Sequence, residues 1–223
     1  MTRTVRNALA EIIRGALRPS APHASSTPHA IDALDVLARL LATARPVEAS
    51  NEVARELGAL VSASGDRDRI HVVAAPALAA VRDEARERVR RALDARRRWR
   101  RRQAHPAARA GDLSETLRRA AALFDAQLYF EVHEELEIPW RDAGGDTRRV
   151  LQGLVQVAVG LHHEEAGNVE SMRRLFASGR AKLTPNLPAW HGVDLAALLR
   201  GIDAYEAARE RHGAARAPRM IVA

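Results

Sequence analysis

The chain has no cysteine, which excludes disulfides, thiolate metal ligands and cysteine nucleophiles and suits a reducing compartment such as the cytoplasm. Aromatic residues are scarce at 4%, and Ala, Leu, Val and Arg take their place, a bias toward helices over sheets. Lys182 is the only lysine, a lopsidedness that a GC-rich coding sequence would also produce. No apolar run approaches the ~20 residues of a membrane-spanning helix. The 47% of hydrophobic residues is enough to build a core across 223 residues, as one large domain or two small ones.

Charge is unevenly placed. Residues 1–110 hold 21 Arg against 12 Asp plus Glu, whereas residues 111–223 hold 14 basic and 16 acidic residues. The asymmetry points to an anionic partner for the first half. Three parts are expected: an amphipathic segment with a Pro/Ser-rich linker (1–30), a helical Arg-rich region (31–110) and a helical bundle (111–223). Val5, Leu9, Ile12, Ala16 and Leu17 share one face of the first segment. A docked helix or an organelle transit peptide would both look like this.

Between residues 31 and 103 the periodicity predicts three helices: one through Leu34, Leu37 and Leu41, one through Val53, Leu57 and Leu60, and a long one from about Ala77. The long helix ends in "RRRWRRR", Arg96, Arg97, Arg98, Trp99, Arg100, Arg101 and Arg102. Six arginines can neutralise phosphates and Trp99 can stack on a base, so nucleic acid is one reading. A solvated helix end whose cations complement the macrodipole is the other. "IHVVAA", residues 70–75, is the only strand candidate.

In the second half the apolar faces of residues 113–124 and 129–140 point in nearly opposite directions. A break is therefore expected at Asp125–Gln127, with Asp125 capping the second helix. Thr147, Asn168 and Asp194 are expected to open three further helices. The fold class is all-α, a helical bundle.

"YFEVHEELEIPW" carries the chemistry. On a helix, Glu131 and Glu135 are expected to be solvent carboxylates, with Glu134 at the edge. His133 and Glu137, one turn apart, fall inside the aromatic arc that includes Trp140. Residues 150–161 have no charge, yet Gln152, Gln156 and His163 form one polar strip, with Gly153 and Gly160 beside it. The two strips are expected to face each other, because buried polar groups are costly unless paired. Trp140 is expected to close the end of this site, its indole N–H seeking an acceptor.

These blocks, with "VLQGLVQVAVGLHHEEAGN" and "LPAWHGVDLAALL", resemble the helical family called domain of unknown function 309. The resemblance covers about residues 112–206. Its signature H-x-x-x-E-x-x-W/Y is met by His133, Glu137 and Trp140, and it implies a metal-binding motif with no established activity. Many members carry glycine near the position of Gln127.

Two readings of the polar site stay open. One is a hydrogen-bond network that fixes helix register. The other is a site for a small ligand or a divalent metal (Zn²⁺, Mn²⁺ or Fe²⁺), held by His133, Glu137 and His163. If the protein is an enzyme, a metal-assisted hydrolase fits best, with Glu134 or Gln156 orienting water. A basic interaction module with the second domain as scaffold is the alternative.

Overall fold

A computed structural model describes residues 1–18, 32–65, 70–102, 113–211 and 215–222, with the side chains of Arg101 and Arg102 outside that description. The Pro/Ser-rich linker and the expected boundary near residues 105–112 also lie outside it. The chain forms two compact units, Met1–Arg102 and Gln103–Ala223.

In the first unit, α1 (Arg3–Gly15), α2 (Ala33–Thr43), α3 (Asn51–Leu57), the short α4 (Pro76–Ala79) and α5 (Arg82–Arg102) surround an aliphatic core. Val5, Leu9, Ile12 and Leu17 are buried, so the first helix is docked in this core. Asp32 and Ser50 cap α2 and α3 by accepting from the N–H groups of Asp35 and Val53. The stretch read as one helix through residues 53–61 is more varied. Strand β1 (Val47–Ala49) precedes α3, and β2 (Val61–Gly65) follows it. Both pair antiparallel with β3 (Ile70–Ala74), in the order β1-β3-β2. Thus "IHVVAA", the one strand candidate, does hold a strand at Ile70–Ala74, and it has two partners that local pattern does not reveal. Val61–Gly65 is mostly Ala and Ser and has no strong preference of its own; pairing decides it. The long helix expected from Ala77 is interrupted at Ala80–Val81.

In the second unit, α6 (Leu113–Asp125), α7 (Tyr129–Asp142), α8 (Gly145–Glu165), α9 (Val169–Leu183) and α10 (Leu195–Glu210) form the helical bundle. A two-stranded hairpin, β4 (Ala189–Trp190) and β5 (Val193–Asp194), leads into α10. The break between α6 and α7 falls where the opposed faces require it. Gln127 there has a φ of 58°, the left-handed conformation in which glycine is unstrained. Asp125 is not the cap of α7, however. Leu128 holds that position with no side-chain bond, and Asp125 pairs with Arg219 at 2.7 Å. Asn168 and Asp194 do cap α9 and α10, accepting from Ser171 and Ala197. The α7–α8 connection is tighter than expected: α8 opens at Gly145, two residues before Thr147.

The rotation of α7 about its axis is fixed by buried charge. Arg119 on α6 donates through Nε to Glu135 at 2.7 Å, while its Nη1 lies 2.9 Å from Glu115. Glu115, Arg119, Glu131 and Glu135 are all buried. The expectation that Glu131 and Glu135 are solvent carboxylates is therefore wrong. Apolar patterning does not reveal that α6 offers Glu135 a cation, and a paired carboxylate can occupy a core position.

Glycines set the other side of α8. A Cβ on Gly153 would lie 2.8 Å from Leu183, and one on Gly160 would lie 2.9 Å from Phe176. The small residues therefore seat α9, and the expected groove beside His133 and Glu137 is not there.

Removing the central member of the buried chain should cost more than removing the whole triad. Arg119→Met alone should lower unfolding free energy by about 3–5 kcal/mol, because it strands the buried carboxylates of Glu115 and Glu135. The triple variant Glu115→Leu/Arg119→Met/Glu135→Leu should recover much of that deficit. Urea unfolding followed by circular dichroism measures it; additive effects would show that the three are not coupled.

Candidate metal-ligand cluster on helix α7

With Glu135 turned to α6 and Glu131 buried, the opposite flank of α7 presents His133, Glu134 and Glu137. One ligand atom from each lies within 4.8 Å of the others, and all three side chains are partly exposed. His133 Nδ1 is 3.3 Å from Glu134 Oε1. Glu137 accepts from Arg141 Nη2 at 2.6 Å, one turn further on. The rings of Phe130 and His133 are 6.1 Å apart.

Helix α8 meets this side of α7 through residues other than those expected. The rings of Phe130 and His162 lie 5.8 Å apart, and the Arg148 guanidinium sits 5.3 Å from the Trp140 ring. His162, Leu151 and Val155 share a helical face, while His163 lies about 100° further round. The third member of the cluster is accordingly Glu134, and His163 is outside it among the described residues. Gln152, Gln156 and His163 do form one strip, each partly exposed. It turns toward α9 at Gln156, whose Cβ is 3.6 Å from the position a Cβ on Gly179 would take. The expectation is that this strip faces His133 and Glu137 across a helix–helix contact; among the described residues the metal-ligand grouping of His133 and Glu137 takes in Glu134 and not His163. The mutual rotation of two helices is set by what lies on their far sides, here Arg119 and the glycines.

Trp140 Nε1 and His162 Nδ1, on residues of the α7–α8 contact, are buried without a hydrogen-bond partner, as is Gln156 Oε1 on α8. His162 Nδ1 is 3.8 Å from Glu165, beyond hydrogen-bonding range. The indole N–H expected to find an acceptor has found a cation over its ring instead. Helix α10 reaches the last turn of α8 through Arg209, which pairs with Glu164 at 2.8 Å. Burial and a hydrogen bond with Glu164 push the Tyr205 phenol up to about 12, so it remains a neutral donor at ordinary pH.

The arginine-rich end of α5 also departs from expectation. Trp99 is buried and cannot stack on a base. Arg96 is buried too, pairing with both Asp32 and Asp35. Arg97, Arg98 and Arg100 are exposed. The sequence does hold a signal for this: Trp99 continues the spacing of Ala85, Val89, Ala92 and Arg96, so this stripe runs through the basic segment.

The second unit is thus an all-α bundle with a half-open His/Glu/Glu cluster on its second helix. Residues 117–175 match the family described as Domain of unknown function (DUF309), within the span of the resemblance drawn from sequence. Comparison with curated proteins gives no match, and comparison with solved structures gives none either. No helix among the described residues is long and apolar enough to cross a membrane.

Trp99 should behave as a core residue. Trp99→Ala is expected to cost about 3–5 kcal/mol, read as an earlier thermal or urea transition. A variant melting like the parent would show the indole to be outside the core.

Proposed function

We propose that the second unit is a divalent-cation-binding domain whose protein ligands are His133, Glu134 and Glu137. The observation that carries this reading is the convergence of one imidazole and two carboxylates within 4.8 Å on a half-buried helical face. A nitrogen and two oxygens suit Zn²⁺, Mn²⁺ or Fe²⁺, and three protein ligands leave positions for water or a ligand. The unpartnered Trp140 Nε1 and His162 Nδ1 support a site that takes a hydrogen-bonding guest beside the ion. A bound divalent ion would supply a Lewis acid and an acidified water, and metal-assisted hydrolysis is the reaction class that fits. In that role the second oxygen of the Glu134 carboxylate would orient water, whereas Glu137 exchanges Arg141 for the metal.

Tag-free protein should therefore carry near-stoichiometric divalent metal by elemental analysis. His133→Ala and Glu137→Ala should each abolish it, because a three-ligand site cannot spare one. At metal concentrations about 100-fold above Kd, the parent should gain about 2.7 kcal/mol of stability. Arg141→Ala should strengthen binding, since it releases Glu137 from its competing cation. Metal-free protein whose melting is unchanged by Zn²⁺, Mn²⁺ or Fe²⁺ would sink the proposal and leave a structural polar network.

A further inference from the structure

Burial of Arg96 and Trp99 removes the site that the arginine run suggested, but it fixes the rotation of α5 and so shows what its outer side presents. Ala85, Val89, Ala92, Ala95 and Trp99 are buried and define the inner side. Arg86, Arg90, Arg97 and Arg100 are exposed, with Arg82 partly so. At ~100° per residue these five fall within an arc of about 80°. The same geometry puts about 21 Å between Arg86 and Arg100 along the helix. None of the five is contributed by the periodicity that builds the core.

The neighbouring charges decide how much of this face is available. Asp83, Glu87 and Asp94 border it. Arg90 is held by Glu87 at 2.7 Å and by Asp94 at 3.4 Å, and Arg97 by Asp94. Glu87 also takes Arg91 at 3.0 Å. Hydrogen bonds from Arg90 and Arg91 hold the Glu87 carboxyl down at about 2, so these pairs stay formed at neutral pH. Arg86 and Arg100, the first and last exposed members of the row, make no ion pair among the described residues. The face is cationic at both ends and internally braced between them.

We propose that this outer face of α5 docks on the phosphate backbone of duplex nucleic acid, without reading its sequence. A row of guanidinium groups along a straight helix suits a regular array of phosphates, each of which can accept two parallel hydrogen bonds from one arginine. A single strand is disfavoured because the segment's only aromatic ring is in the core, and base stacking needs an exposed ring. A lipid surface is disfavoured because the apolar side of α5 is spent on the core, leaving no large apolar side chain but the partly covered Leu93 to insert. The exposed arginines do not reach for base edges from a recognition turn, so affinity rests on charge and is salt-dependent.

The test uses the full chain with a fluorescent 20-base-pair DNA duplex, the matching single strand, and vesicles containing phosphatidylglycerol. Anisotropy is measured across a salt series for the parent, for Arg86→Gln/Arg97→Gln/Arg100→Gln, and for a charge-matched control, Arg173→Gln/Arg174→Gln/Arg211→Gln. The expected result is duplex binding at low salt that the α5 triple weakens and the control does not. The slope of log K against log salt should become shallower by about 0.9 for each phosphate that is no longer neutralised. No duplex binding at low salt, equal weakening by both triples, or tighter binding of single strand or vesicles would each overturn the proposal. The triple variant should melt with the parent, since all three side chains lie outside the core.

Discussion

Everything the second unit displays to its surroundings depends on where Arg119 sits. Its guanidinium bridges Glu115 on its own helix and Glu135 on the next, inside the protein. Such a bridge contributes little net stability, since desolvating the charges offsets most of their attraction, but breaking it on one side is costly. Its larger effect is on orientation. Once Glu135 is committed to α6, Glu131 one turn earlier is carried inward, and His133, Glu134 and Glu137 are carried to the opposite flank. A rotation of α7 by one residue would bury a different set of carboxylates and turn the cluster toward a different neighbour.

Helix α8 takes contacts on opposite sides for different reasons. One side is made of absent side chains, at Gly153 and Gly160, and lets α9 approach closely. The other is made of rings and a guanidinium, at His162 and Arg148, and meets Phe130 and Trp140. The partly exposed His/Glu/Glu cluster lies on the flank of α7 whose Phe130 and Trp140 make this second contact. Close glycine packing on one side and a polar, incompletely satisfied contact on the other place rigidity and chemistry on separate faces of the same helix.

Much of this is legible in the sequence, and what is not has identifiable causes. The helical class, the break before Tyr129, and the caps at Asn168 and Asp194 follow from periodicity and side-chain chemistry that act within a few residues. His133 and Glu137 stand out because ionisable groups on an apolar arc demand an explanation. Glu134 falls at the edge of that arc because hydrophobicity alone defines it, and hydrophobicity cannot register an arginine fifteen residues away. The same blindness makes Glu131 and Glu135 look like surface residues. Strands β1 and β2 escape local pattern because Ala, Ser and Val in short runs acquire strand geometry only from β3. Trp99 misleads for the reverse reason: six neighbouring arginines mask a core spacing that runs through them.

The close seat of α9 on α8 bears on how relatives of this protein should be compared. Gly179 lies so near Gly153 that a methyl group on it would stand 3.0 Å from the Gly153 carbonyl oxygen. Selection against any side chain at these positions would be severe although neither residue touches the cluster. In an alignment, such glycines would stand out as strongly as ligands. Invariance at Gly153, Gly160 and Gly179 would then report helix spacing, whereas joint variation of Glu137 with Arg141, or of Glu134 with His133, would report the chemistry.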